Sequence, residues 1–185
     1  ARTRRSSPGA GRARSSVLRG RRGEAQDEGG ALAAAGHPDE AIIDAFLAQA
    51  YFHRMPPKSL DRNDFPGLLP AVAHLPDADA AATLTAAAAA AVARGTEHFP
   101  HPVSRILVTG GGRHNATLMR ELRLRTRTAI APVEDIGLNG DMLEAQAFAH
   151  LAVRVLRRMP TSGPTTTGVS AAVGGGRVSR PAAPR

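Results

Sequence analysis

Residues 106–115 read ILVTGGGRHN: an apolar run, three consecutive glycines, then Arg113, His114 and Asn115. One glycine suffices for a turn. Three in a row leave the backbone weakly specified unless something large must approach it. The apolar run reads as a strand over Arg105–Thr109, and the stretch behind the glycines as a helix from about Asn115 to Arg125. A strand that ends in a glycine turn opening a helix brings backbone N–H groups and the positive helix end to one point. Such a point suits a phosphate or the ribose of a nucleotide. The same turn also serves close strand–helix packing, and from spacing alone the two readings stand level. Neither G-x-G-x-x-G nor G-x-x-x-x-G-K-[ST] is present, so Rossmann and P-loop readings find no support.

Working outward, a second strand is expected near Thr128–Ala131, then a loop PVEDIGLNG, then a helix from Asp141 to Arg158. Upstream, Asp77 to about His98 reads as the longest helix, alanine-rich and mostly packed. Pro38–Ala50 carries Ile42, Ile43, Phe46 and Leu47 at helical spacing, with Pro38 at the tolerated first position. A short helix is expected around Phe65–Ala73. The last 25 residues are rich in Pro, Gly and Thr, with room for one edge strand at most. Strand and helix alternate in the second half, so the fold class is α/β.

The helix from Asp141 holds a second chemistry-bearing stretch. At ~100° per residue, Gln146, His150, Arg154, Arg157 and Arg158 form one polar stripe. Glu144 falls on the opposite side among alanines, the side expected to be packed. Two readings remain open. Asp141 as N-cap with Glu144 three residues on makes a capping box; alternatively, a first-turn carboxylate on the packed side receives ligand hydroxyls. A third stretch, Pro56-Pro57-Lys58-Ser59, sets a rigid approach followed by polar side chains. It serves as a cleft contact or as a solvated connection, the second being the commoner case for loops.

The chain has 185 residues, no cysteine and a formal net charge of +8. Without cysteine there is no disulfide framework and no thiolate metal site. The charge is uneven. Residues 1–26 hold eight arginines against Glu24, whereas the remaining 159 hold 16 basic against 15 acidic residues. The arginine-rich stretch has almost no apolar residues and is expected to be disordered. It has no aromatic residues to stack bases, so nucleic-acid binding is not expected. No run approaches the ~18 apolar residues of a membrane span, and no signal-peptide pattern opens the chain. A cytoplasmic location without membrane contact is the expectation. His98 and His101 flank Pro100 with no third ligand at useful spacing, so no metal site is expected. No G-x-S-x-G or nucleophile–base pattern is present.

Taken in order, the stretches D-E-G-G-A-L-A-A-A-G, P-P-K-S-L-D-R-N-D-F, L-V-T-G-G-G-R-H-N-A-T-L-M, D-I-G-L-N-G-D-M-L-E-A-Q-A-F-A-H-L-A and P-T-T-T-G-V resemble one family. It is the anhydro-N-acetylmuramic acid kinases of bacterial cell-wall recycling, and the resemblance runs from about Gly23 to Val178. It implies an actin/hexokinase-like (RNase H-like) fold of two lobes closing over ATP with Mg2+. It implies hydrolytic opening of the 1,6-anhydro sugar and phosphorylation of its 6-oxygen, giving N-acetylmuramic acid 6-phosphate, by a homodimeric enzyme. It implies that Gly110, Gly111, Gly112 and Asn115 line the nucleotide and that Glu144 faces the sugar, with Lys58, Ser59 and Asp141 as further cleft candidates. Family members are about twice this length. Their G-T-S-x-D-G-x-D segment, and the D-T-G-P-x-N stretch with the catalytic aspartate, are absent from these residues. No catalytic residue is therefore assigned here. The expected division is a tail over 1–22, a C-terminal lobe over 23–180 and a tail over 181–185. The Arg, Ser, Gly and Ala content of the first tail, in a protein with one lysine, is what a GC-rich gene yields out of frame. The expectation is a frameshifted or truncated copy. A non-catalytic module retaining a nucleotide or sugar half-site is the alternative.

Overall fold

Alanine at eleven positions between Asp77 and Thr96 favours a helix, because it loses no side-chain entropy on folding. The computed structural model, which describes residues 26–56, 58 and 64–179, has that helix at the centre of the molecule. We label the helices α1 (Ala31–Ala34), α2 (Glu40–Leu47), α3 (Ala50–His53), α4 (Leu68–Ala71), α5 (Asp77–Thr96), α6 (Ala116–Thr126), α7 (Leu143–Leu156) and α8 (Pro164–Thr167). Strands β1 (Arg105–Val108) and β2 (Ala129–Pro132) pair in parallel, Ile106 opposite Ile130 and Val108 opposite Pro132. The expectations for residues 1–22 and 181–185, and for Pro57 and Ser59, lie outside the described residues.

α5 serves two cores. Towards its first half, Ile43, Phe46, Phe52, Leu68 and Val72 gather on Ala80, Leu84 and Ala87. Phe46 meets Phe52 and Phe65 edge-on at 4.9 Å, and Phe52 stacks on Phe65 at 5.4 Å. Towards its second half, Ala89 packs with Met119, Leu122 and Ile130, joining α5 to α6 and the sheet. The buried Thr83 hydroxyl donates to Asp79 O (2.7 Å) and accepts from Asp39 N (2.9 Å), so its polarity is satisfied. A bidentate pair from Arg125 to Glu40 (2.6 and 3.1 Å) ties α6 to α2.

Three expected boundaries shift for local reasons. Asp39, not Pro38, starts the second helix: it is the N-cap and its side chain accepts from Ile42 N at 3.1 Å. The single helix expected to Ala50 breaks at Gln49, whose extended backbone separates α2 from α3. The expected edge strand near the C-terminus is one antiparallel bridge, Ser162 to Val173.

The larger correction concerns α7. The sequence reading places one face of this helix in a core, yet none of its residues is buried. Phe148 is 64% and Leu156 65% exposed. Burying such side chains stabilises by about 1.5–3 kcal/mol each, and α7 draws only part of that from the described residues, through half-buried Leu143, Leu151 and Val155. A helix of this length is marginal in isolation. Its ends are held instead: Asn139 Oδ1 accepts from Asp141 N and Met142 N, the Arg154 guanidinium donates to Pro160 O, and Gly176 lies on Val155.

Candidate functional site

β1 leads through Thr109 into Gly110, whose φ of 72° with ψ of −177° is a conformation essentially reserved for glycine. Gly111–His114 then form one 3₁₀ turn, and Asn115 caps α6 by accepting from Leu118 N at 2.7 Å. The three glycines are not equivalent. Gly110 is required by its backbone. At Gly112 an added Cβ would sit 3.3 Å from Leu118. At Gly111 it would meet nothing within 4 Å, and no left-handed φ calls for glycine there. Gly111 is thus a glycine the folded chain does not use, with open space above it.

Asn115 lies behind this turn. It is 8% exposed, it packs on Gly30, and its carboxamide oxygen is the helix cap. Thr117 Oγ1 donates to Gly30 O at 2.8 Å, fastening the start of α6 to the chain ahead of α1.

Arg113, which sequence reasoning did not single out, organises the site. Its side chain is 5% exposed and reaches three separate segments. Nε donates to Glu134 Oε1 (2.8 Å), Nη1 to Gly110 O (2.9 Å) and to Asp141 Oδ1 (3.0 Å), and Nη2 lies 3.0 Å from Asp141 Oδ2. Gly140 makes room for it: a Cβ there would fall 2.6 Å from Arg113 Nε. Backbone contacts reinforce the clamp, with Gly110 N and Thr109 Oγ1 both donating to Gly140 O at 3.2 and 3.1 Å. The glycine turn and the start of α7 are therefore one locus. The hydrogen bond to Asp141 holds Arg113 above the ordinary guanidinium range. The Gly140 N–H (3.0 Å), then Arg113, hold the Glu134 carboxyl below the usual range. The available sequence signal was an arginine directly after the glycines and an Asn-Gly turn before Asp141, but only a fold brings them together.

This overturns the capping-box reading. Asp141 is not the cap of α7; it pairs with Arg113, and Asn139 supplies the side-chain acceptor ahead of the helix. Glu144 lies in the first turn of α7, close in sequence to the clamp, and is exposed rather than packed. Lys58 belongs elsewhere. Its Nζ donates to Tyr51 O at 3.2 Å, stands 4.8 Å over the Tyr51 ring and meets His98 Nε2 at 3.4 Å. Those contacts serve the aromatic core, not the glycine turn.

A family model described as anhydro-N-acetylmuramic acid kinase matches residues 11–180. An anhydro-N-acetylmuramic acid kinase of Cereibacter sphaeroides is 64% identical over 167 residues, covering 90% of this chain and 45% of the relative. That of a Ruegeria species is 60% identical over 164 residues, with 89% and 44% covered. That of Roseobacter denitrificans is 53% identical over 165 residues, again with 89% and 44% covered. The chain spans less than half the length of these curated relatives. The match reaches upstream of Gly23, where the motif resemblance begins, and takes in the glycine turn, the Arg113 clamp and α7 alike. The chain belongs to the anhydro-N-acetylmuramic acid kinase family.

Proposed function

We propose that this chain supplies the nucleotide-holding part of an ATP-dependent kinase acting on 1,6-anhydro-N-acetylmuramic acid. The observation that carries the reading is Gly111, a glycine that neither backbone strain nor packing requires, at the mouth of a strand–helix turn. A residue without Cβ in open space lets a ligand approach the backbone. Gly110, Gly111 and Gly112 would line the nucleotide, while Asn115 holds the helix start behind them. Glu144, one turn past the clamp, would accept hydroxyls of the sugar. In the overall reaction the C1–O6 bond of the anhydro ring breaks. Water supplies the hydroxyl at C1, O6 takes the γ-phosphoryl group, and ADP and a proton leave.

Mg2+ would arrive with the phosphates. Among the described residues no group of three or more His, Cys, Asp or Glu side chains is placed to hold a metal, and Glu134 and Asp141 are engaged by Arg113. That is compatible with Mg2+, which binds through substrate phosphates and water with few protein carboxylates. No helix among the described residues is long and apolar enough to cross a membrane. We place the kinase in the cytoplasm, in the two-lobed actin/hexokinase-like arrangement and as a homodimer, on the family resemblance.

The chain by itself should bind nucleotide without turning it over, since removal of a general base typically costs ~10²–10⁴ in rate. Calorimetric titration with MgATP tests the binding, and release of ADP dependent on the anhydro sugar tests the turnover. Absence of measurable MgATP binding ends the reading. A non-catalytic sugar- or nucleotide-binding module is the second reading, favoured by the exposed position of Glu144. Sugar binding by this chain alone would mark it.

A further inference from the structure

Gly110 is held on both sides to the segment ahead of α7. Its N–H donates to Gly140 O at 3.2 Å, and its carbonyl accepts from Arg113 Nη1 at 2.9 Å. Gly140 is fixed in turn: its N–H donates to Glu134 Oε1 at 3.0 Å, the same oxygen that accepts from Arg113 Nε. Both oxygens of Asp141 meet the guanidinium at 3.0 Å. Glu144 stands in the first turn of α7, just past Asp141. The backbone between them is one hydrogen-bonded turn, in which Met142 N and Leu143 N both donate to Asn139 O at 3.1 Å. The Arg113 side chain is 5% exposed, and each of its nitrogens has a protein partner. It holds the frame around a ligand.

We infer that Arg113 is a positioning residue that couples the glycine turn to the first turn of α7, so that a nucleotide seated on the turn also fixes the placement of Glu144; this rests on the turn being the nucleotide seat proposed above. Two states differ in the clamp. When it is closed, Arg113 spans Gly110 O and Asp141. When it is open, Asp141 leaves the guanidinium and the adjacent Gly140 O leaves the Gly110 N–H, so the turn loses part of what fixes it. A ligand that needs the turn in its closed geometry binds that state better and shifts the population towards it. By linkage, whatever holds α7 closed strengthens nucleotide binding by the same factor. No residue of α7 is buried, so openings of its first turn are frequent and their suppression is measurable. Arginine suits the role because its planar fork fixes Gly110 O, Glu134 and Asp141 relative to one another, which an ammonium cannot do.

Hydrogen exchange of the full chain, followed by mass spectrometry over residues 140–148 with and without MgATP, tests the coupling. At MgATP about ten times its dissociation constant, a fully coupled opening slows up to about elevenfold, and slowing of at least about threefold is expected. Asp141→Ala removes the guanidinium's partner ahead of α7 but leaves the hydrogen bonds from the backbone N–H groups at 141 and 142 to Asn139 Oδ1. In that variant, and in Arg113→Ala, exchange over 140–148 should be faster and the same with and without MgATP. Each variant is measured at the same multiple of its own dissociation constant, taken from calorimetry. A merely structural role for the pair would speed exchange in the variants yet keep the MgATP effect, and that result overturns the inference. So does an unaltered chain that binds MgATP with no slowing over 140–148. Should Arg113→Ala fail to fold in thermal melts, Asp141→Ala decides alone. An unaltered chain that binds no MgATP at all ends the nucleotide reading and the coupling with it, an outcome distinct from binding without slowing.

Discussion

Gly110 and Gly111 are neighbours under different constraints, and that difference separates folding from binding. Gly110→Ala forces a side chain into a conformation that costs about 1–3 kcal/mol, so its melting temperature should drop. Gly111→Val meets open space and should change stability by less than about 1 kcal/mol, yet MgATP affinity should fall at least about tenfold, or ~1.4 kcal/mol. Calorimetry beside thermal melts reads both, and unchanged affinity in Gly111→Val would return the turn to packing alone. Glu134 gives a pH signature. Its carboxyl is held below its ordinary value. Its stabilising effect is therefore complete above the unfolded pKa, about 4.3, and is lost as pH falls through the lower folded value. Melts from pH 7 down to about pH 3 should show this loss. Arg113→Ala should shrink it, because Gly140 N–H remains but the guanidinium is gone. Arg113→Lys should restore it only in part, since an ammonium cannot reach Glu134, Gly110 O and Asp141 with fixed fork geometry.

At the scale of elements, α7 is set by its ends. Asn139→Ala removes the acceptor for two backbone N–H groups and should loosen the helix start by about 1 kcal/mol. Glu144→Gln should leave the melting temperature of this chain within a few tenths of a kcal/mol, because the side chain is exposed. In a complete kinase the same change should lower kcat/KM for the anhydro sugar roughly ten- to a hundredfold, the worth of a charge-assisted hydrogen bond of ~1.5–3 kcal/mol. An unaltered sugar term there would remove Glu144 from the site. The elements themselves were largely legible. β1, α5, α6 and β2 lie within a few residues of their expected limits, since apolar runs, alanine content and the Asn115 cap are local signals. The role of Asp141 was not legible. Its partner stands 28 residues away, and a capping pattern in sequence cannot show that a distant arginine has claimed the carboxylate. The exposure of α7 was illegible for another reason: periodicity reveals that a helix has an apolar face, never what covers it.

Among the described residues the apolar interior ends at Val133, so stability is uneven along the chain. Amides of α5 and α6 should exchange with solvent only on global unfolding, whereas those of α7 should exchange through cheap local openings. Hydrogen exchange at neutral pH checks this directly. Equal protection in α5 and α7 would mean that exposed Phe148 and Leu156 are already covered in the isolated chain. The candidate site straddles this boundary: the glycine turn belongs to the firm part, Asp141 and the proposed sugar contact Glu144 to the soft part, and Arg113 joins the turn to Asp141.

The central helix carries a consequence for how the sequence can vary. Ala80, Ala86, Ala87 and Ala89 are completely enclosed, so each marks a place where the close-packed interior leaves no room for a larger side chain. Enlargement there demands that helices part, at about 1–3 kcal/mol, while the phenylalanine cluster tolerates no reduction, at about 3–5 kcal/mol for Phe→Ala. A saturation library of this chain should therefore show two opposite filters along one helix: a ceiling on side-chain volume at the alanines, and a floor on it where α5 meets Phe46 and Phe52.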